Sequence, residues 1–345
     1  MHSRGLGAQP EALVDVYDLA MLDLDGVVYV GGASVPHASE AIEGWRQAGG
    51  HVAFVTNNAS RPPHAVVDHL VELGVPAGLP DVVTSAQAVA RLLADQLGAG
   101  ARVSVLGGQG LWEAVGEAGL EGVGADDDAE AVVTGYGPDV VWRDIMTVAV
   151  RVRGGLRWYA SNTDMTIPTA RGEAPGHGVL VETIRRFSGV DPAVAGKPET
   201  PLLEETIRRV GGQRPLMVGD RLDTDIWGGR RVGVDTLLVL TGVTDLTTLV
   251  HSPADQRPTY VAPDLRGLLV PHPEIVTDVG FARCGGWAAQ AGPEGWSVSG
   301  DGSAIDWWRA VLTVAWGLVD EGVDVPDLDA LRVPDPDGAA DSLEP

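Results

Sequence analysis

Cysteine is nearly absent: the 345 residues contain one, Cys284. An internal disulfide is therefore excluded, and stability has to come from a packed core in a chain suited to a reducing compartment. Basic residues are also scarce, 24 Lys and Arg against 48 Asp and Glu, for a formal charge of -24. Binding to a nucleic-acid backbone requires clustered cations, so that balance argues against a nucleic-acid partner. It leaves open a phosphate ester, which a local lysine and a metal ion can accept. No apolar run reaches the roughly 20 residues of a membrane span, and residues 1–17 lack a signal-peptide core. The expectation is a cytoplasmic protein with no membrane partner. What is present is ordinary globular composition, 44% apolar and 21% charged, in a chain long enough for two or three domains.

The most informative segment is Ala20-Met-Leu-Asp-Leu-Asp-Gly-Val-Val28, where an apolar run ends in Asp23 and Asp25. Strand alternation is expected to send both side chains to the same side of the chain. Two carboxylates held about 4 Å apart repel by roughly 4 kcal/mol at an effective dielectric near 20. A bound cation, a shared proton or chemistry that uses both groups has to offset that cost. Three similar runs follow: Val52 to Val55 before Thr56-Asn57-Asn58, Leu216 to Val218 before Gly219-Asp220, and Thr236 to Leu240 before Thr241-Gly242. Unbroken apolar strands alternating with helices predict a parallel α/β sheet covered on both faces. Val66, Val67, Leu70 and Leu73 recur at helical spacing. So do Leu202, Leu203, Ile207 and Val210, behind Thr200 as a cap and Pro201 at the first helical position.

The Thr56 loop and Lys197 lie about 140 positions apart, several times a β-α-β unit of roughly 30 residues. The interval has its own strand candidates (Val103 to Leu106, Val132 to Val133, Arg157 to Ala160) and helix candidates (Leu111 to Ala118, Asp144 to Val152). The expected organisation is an N-terminal arm (1–17), a core in two parts (18–84 and 187–270), an inserted α/β cap (85–186) and a C-terminal extension (271–345). One larger α/β domain is the alternative. Residues 273–345 hold 14 Asp or Glu against 3 Arg, and five of the ten tryptophans. Strand candidates at Val276 to Val279 and Gly285 to Ala289, and a helix over Asp306 to Glu321, predict a folded α+β extension rather than a tail.

Four motifs in order, Asp23-Leu-Asp25-Gly26-Val27, Thr56-Asn57-Asn58, Gly196-Lys197-Pro198 and Gly219-Asp220 through Asp225, closely resemble the haloacid dehalogenase superfamily in its NagD-like branch of small-molecule phosphatases. The match covers residues 18 to 270, and four motifs in register are far more specific than any one alone. A phosphate monoester needs an in-line nucleophile, cations for its oxygens and an acid for the leaving group. The resemblance implies that Asp23 attacks phosphorus and that Asp25 handles the leaving-group and water protons. It also implies that Asp23, Asp220 and the Asp25 carbonyl ligate Mg2+, with Asp225 orienting the water shell. Thr56, the Asn57 amide and Lys197 would then hold phosphoryl oxygens.

Asp223 is expected to be a loop or capping residue. His51, His64, His69 and His177 show no metal-ligand spacing and are expected to be structural or surface residues; Cys284 is expected to be a small apolar one. Ser161 to Pro168 and Pro175 to Gly178 are similar to the lid segment of that branch. There Asn162 and Asp164 either face the substrate or form turns on their own backbone. Tyr136 is a further candidate substrate contact.

A lid favours small phosphorylated metabolites. The whole chain, extension included, is most similar to actinobacterial glycerol-3-phosphate phosphatases, whose C-terminal region resembles part of an acetyltransferase fold. Glycerol 3-phosphate is the expected substrate. Nucleotides, sugar phosphates, pyridoxal phosphate and phosphoglycolate are the alternatives, and dehalogenation is a second chemistry on the same fold. The extension lacks a glycine-rich pyrophosphate loop, so its expected role is packing or homodimerisation. Sensing acetyl-CoA or a protein partner is the competing reading.

Overall fold

The computed structural model describes residues 5–169, 172–292 and 294–337. The start of the expected N-terminal arm and the end of the acidic extension lie outside the described residues. The chain divides into two compact units. One comprises Met1–Val30, Ser34–Val52 and Gly212–Pro345; the other comprises Gly31–Ala33 and Ala53–Gly211.

The first unit is built on parallel strands in the order Tyr260–Ala262, Asp235–Val239, Pro215–Gly219 and Leu19–Leu22. Leu19 to Leu22 and Leu216 to Val218 are fully buried, as an apolar run covered on both faces requires. Pairing of Val218 with Leu22 and Leu237 puts the ends of three strands level, so the loops that follow them share one edge. In open α/β sheets that carboxyl edge is where ligands bind. A single π-helical turn, Leu222–Ile226, leads from the Asp220 loop into the helix Trp227–Val232; such turns are common at functional sites.

The extension belongs to this unit. Strands Val276–Asp278, Phe281–Cys284, Trp287–Gly292 and Gly295–Gly300 form an antiparallel meander. The helix Ala304–Asp320 packs against it. Trp307, Trp308 and Trp316 share one apolar cluster with Leu222, Ile226, Leu238, Leu249 and Val261. The Trp316 indole donates to the Leu249 carbonyl at 3.0 Å, and Arg257 pairs with Asp320 through two bonds of 2.7 and 2.8 Å. Arg309, fully buried, donates to the carbonyls of Gly7 and Pro273. The extension is thus a continuation of the core.

In the second unit Phe54 to Thr56, the end of the strand His51–Thr56, pair with Val82–Thr84, Thr56 opposite Thr84. Thr84 caps the helix Ser85–Leu97 in a reciprocal box: its hydroxyl accepts from the Gln87 amide and its amide donates to Gln87 Oε1. A five-stranded parallel sheet follows, in the order Ala193–Val194, Arg157–Ala160, Ala131–Thr134, Arg102–Leu106, Glu121–Val123. Helices Gln109–Glu117, Trp142–Arg153 and His177–Ser188 belong to it. A hairpin pairs Thr166–Thr169 with Gly172–Pro175. The α/β class expected from the sequence is the class of both units.

Thr200 does not cap its helix. Its dihedrals (φ -74°, ψ -26°) are already helical, its side chain makes no capping bond, and its carbonyl takes the Glu204 amide. Among the described residues no helix is long and apolar enough to cross a membrane.

Candidate active site

In the first unit the strand ends at Leu22, and Asp23 begins the loop with its amide on the Val218 carbonyl at 2.9 Å. Strand alternation therefore does not place Asp23 and Asp25. The chain reverses instead at Gly26 (φ +81°), whose amide returns to the Tyr29 carbonyl at 2.8 Å. Asp23 is half-buried and Asp25 exposed. Asp220 and Asp225 are buried, 1% and 0% exposed, and ligand oxygens of Asp23, Asp220 and Asp225 lie within 4.8 Å of one another. At that separation each pair of unit charges repels by about 3.5 kcal/mol at an effective dielectric near 20.

The fold makes room for these carboxylates. A Cβ on Gly26 or Gly242 would stand 2.4 or 2.0 Å from Asp220 Oδ2, and one on Gly219 would stand 2.2 Å from the Asp225 Cβ. Asp220 Oδ2 accepts the Val243 amide at 2.7 Å, and its main-chain carbonyl accepts the Thr244 hydroxyl at 2.6 Å. The Thr241 hydroxyl donates to the Gly26 carbonyl at 2.5 Å, and Asp225 Oδ2 accepts the Arg221 amide. Asp223 lies outside the cluster, paired with Arg221 at 2.9 Å on the surface. Three hard carboxylate oxygens converging at a strand edge fit Mg2+, which takes oxygen donors and retains waters.

The second unit holds Thr56, Asn57, Lys197, Asn162, Asp164 and Tyr136. Thr56, 4% exposed, accepts the Asn58 amide at 3.1 Å, and Asn58 Oδ1 takes the amides of Ser60 and Arg61 to form the turn. Lys197 is 2% exposed with Nζ 3.3 Å from the Val55 carbonyl. Asn57 brings the motifs together: Oδ1 accepts the Lys197 amide at 2.8 Å, and Nδ2 donates to the Lys197 carbonyl at 3.0 Å and to Asp164 Oδ1 at 3.1 Å. Asn162, 4% exposed, donates from Nδ2 to the Asn57 carbonyl at 2.7 Å, and its Oδ1 accepts the Asp164 amide at 3.1 Å. Tyr136 follows the strand Ala131–Thr134, half-buried, with its carbonyl on the Gly108 amide.

Motif reading alone left out Ser85 and Thr244, and the roles of Thr241 and His177. Ser85 Oγ donates to the Asn57 carbonyl at 2.5 Å. His177 is buried, with Nδ1 2.8 Å from the Asn162 carbonyl, and burial pushes its pKa down to about 4 against the weaker opposing effect of that bond. The available signal was its flanking glycines. A Cβ on Gly176 or Gly178 would sit 2.4 or 2.3 Å from the carbonyl oxygens of Asp164 or Thr163.

Comparison with known proteins agrees with the geometry. Residues 20–121 match the haloacid dehalogenase-like hydrolase family, and residues 194–268 match a HAD-hydrolase-like family. D-glycerol 3-phosphate phosphatase of Mycobacterium tuberculosis is 41% identical over 78% of each chain. A 5'-nucleotidase of Bacillus subtilis is 38% identical over 65% of this chain and 87% of its own. The crystal structure of glycerol phosphate phosphatase from M. tuberculosis in complex with magnesium superposes with a TM-score of 0.81, at 38% identity, over 89% of this chain and 92% of that one. Two family matches, a three-carboxylate cluster at the strand edge and relatives of this similarity lead to one assignment: the chain belongs to the haloacid dehalogenase-like hydrolases and is one of their phosphatases.

Proposed function

We propose that this phosphatase hydrolyses glycerol 3-phosphate to glycerol and phosphate through an aspartyl-phosphate on Asp23. The observation that carries the chemistry is the cluster of Asp23, Asp220 and Asp225 at one strand edge. Support for the substrate is the extent of similarity to the mycobacterial enzyme, 78% of each chain in sequence and 89% of this chain in structure. Asp23, Asp220 and the Asp25 carbonyl would hold a Mg2+, with Asp225 in support, and the ion would supply positive charge to the phosphoryl oxygens.

The chain's residues divide the remaining work. Asp23 attacks phosphorus in line and the ester oxygen leaves as the P–O bond breaks. Asp25, exposed on its loop, gives its proton to the departing alkoxide and afterwards takes one from the attacking water, so that phosphate is released and Asp23 is regenerated. Thr56, the Asn57 amide and Lys197 hold the phosphoryl oxygens. Residues 85–186 serve as the cap that excludes bulk water and large substrates, with Tyr136 and Asp164 as specificity contacts. The charge of -24 disfavours nucleic-acid partners.

A nucleoside 5'-monophosphate is the second substrate reading, supported by the 38% identity to the bacillary 5'-nucleotidase. The test is release of inorganic phosphate from a panel of phosphorylated metabolites, with Mg2+ and with EDTA. Glycerol 3-phosphate should be turned over with the highest kcat/KM, and EDTA should abolish turnover. Preference for a nucleotide overturns the substrate; undiminished activity in EDTA overturns the metal-dependent mechanism.

A further inference from the structure

Asn57 belongs to the motif whose hydroxyl and amides are assigned to the phosphate, yet its side chain turns to another partner. The carboxamide engages both main-chain groups of Lys197, accepting its N–H at 2.8 Å and donating to its carbonyl at 3.0 Å. That pairing mimics two opposed strand residues exchanging both N–H···O hydrogen bonds, and it fixes the peptide planes on either side of the lysine. Lysine has a long flexible stem and no intrinsic directionality, so where its ammonium sits depends on how its backbone is held.

The second hydrogen of Asn57 Nδ2 goes to Asp164 Oδ1 at 3.1 Å. A carboxylate accepts and cannot donate, so this contact reinforces the orientation of the carboxamide that the Lys197 N–H and carbonyl require. Asp164 is in turn held by Asn162, whose Oδ1 takes its amide and whose Nδ2 reaches back to the Asn57 carbonyl. The hairpin Thr166–Thr169 with Gly172–Pro175 starts just beyond it, closed by the Gly176 amide on the Met165 carbonyl. Space is tight on the other side: a Cβ on Gly196 would stand 2.7 Å from Asn57 Oδ1.

We propose that Asn57 is a positioning residue that sets the Lys197 backbone, and that Asp164 anchors its carboxamide in the orientation this pairing needs. Asp164 therefore acts on the lysine through Asn57 as well as standing near the substrate. The inference rests on the phosphatase reading for its kinetic consequences, though not for the clamp itself.

The experiment has two readouts on full-length protein, with thermal melting to confirm that each variant folds. Hydrogen–deuterium exchange followed by mass spectrometry reports the Lys197 amide directly, since Pro198 beside it has no N–H. Asn57→Ala should speed its exchange by at least tenfold; unchanged exchange overturns the clamp whatever the activity. Kinetics then test the orientation. Asn57→Asp loses the donor to Lys197 and sets two carboxylates face to face, and kcat should fall by about 100-fold, as a misplaced group of this kind costs. Asp164→Asn restores the missing donor from the other side, so the double variant Asn57→Asp/Asp164→Asn should recover at least tenfold over Asn57→Asp. A double variant no better than Asn57→Asp overturns the role of Asp164. Absence of phosphatase activity in the unsubstituted protein defeats the functional reading instead, and exchange at Lys197 still decides the clamp.

Discussion

The Thr244 hydroxyl donates to the main-chain carbonyl of Asp220 at 2.6 Å, while the neighbouring Val243 amide donates to Asp220 Oδ2 at 2.7 Å. One short loop thus holds both the backbone and the carboxylate of a residue buried to 1% exposure. Partners of this kind orient a ligand without touching the metal, and losing one typically costs 10- to 100-fold in metal affinity. Thr244→Val should therefore weaken Mg2+ binding by roughly tenfold. The Mg2+ concentration for half-maximal phosphate release and the rise in melting temperature on adding Mg2+ should report it. Identical Mg2+ dependence in both measurements contradicts this role.

Gly242 is constrained more severely. A Cβ there would stand 2.0 Å from Asp220 Oδ2, closer than van der Waals contact allows, so the carboxylate has to move. Gly242→Ala is expected to reduce Mg2+ affinity more than Thr244→Val does while the melting temperature without metal changes less than the activity. Calorimetric titration with Mg2+ checks the order of the two variants.

The carboxylate cluster was legible because Asp23 and Asp220 each follow an apolar run that forms a buried strand, so their loops had to lie on the sheet's ligand-binding edge. Lys197 was marked by its Gly-Lys-Pro motif alone, since the strand ahead of it, Ala193–Val194, is two residues long and not buried. The loop Thr241 to Thr244 was legible as a loop but not as the brace of Asp220. Its hydroxyls act over 215 and 24 residues of sequence separation, and threonine carries no local mark of a distant partner. The side-chain role of Asn57 was hidden for the same reason, since its partners lie 107 and 140 positions away. Thr200 misled because Thr-Pro is the usual cap signature: the helix does begin at Pro201, but the Thr200 backbone is already helical and its hydroxyl makes no capping bond. Arg257, 1% exposed and paired with Asp320, shows the same limit for charge: its burial is set by tertiary packing alone.

Acid stability should carry the signature of two buried histidines. Burial pushes His177 and His272 down to about 4 from the ordinary 6.5, with the Arg309 charge adding to the effect at His272. Between those values the unfolded chain binds protons that the folded chain does not. Stability present above pH 6.5 is therefore lost as pH falls toward 4, by about 3 kcal/mol for each histidine. Urea midpoints at pH 7 and pH 4.5 measure the loss. The variants His177→Asn and His272→Gln, which retain a donor or acceptor without titrating, should each flatten it, and an unchanged slope in both contradicts the assignment.

The extension shares its core with the parallel sheet, so it should behave as part of that fold. Trp307 is 1% exposed and clusters with Leu222 and Ile226 beside the Asp225 turn. Trp307→Ala should cost about 3–5 kcal/mol, read as a lower melting temperature. Ending the chain before Pro273 should give an unfolded or inactive product, because Leu249, Val250 and Val261 lose their cover. A truncated protein that folds and keeps full phosphatase activity contradicts this.

Asp23 is proposed as the nucleophile of a metal-dependent phosphatase. The direct measurement is phosphate release from glycerol 3-phosphate, with saturating Mg2+, by the unsubstituted protein and by Asp23→Asn. Turnover is expected from the first and none above background from the second, with an unchanged melting temperature in the absence of metal. Equal turnover by a folded Asp23→Asn protein would contradict that role.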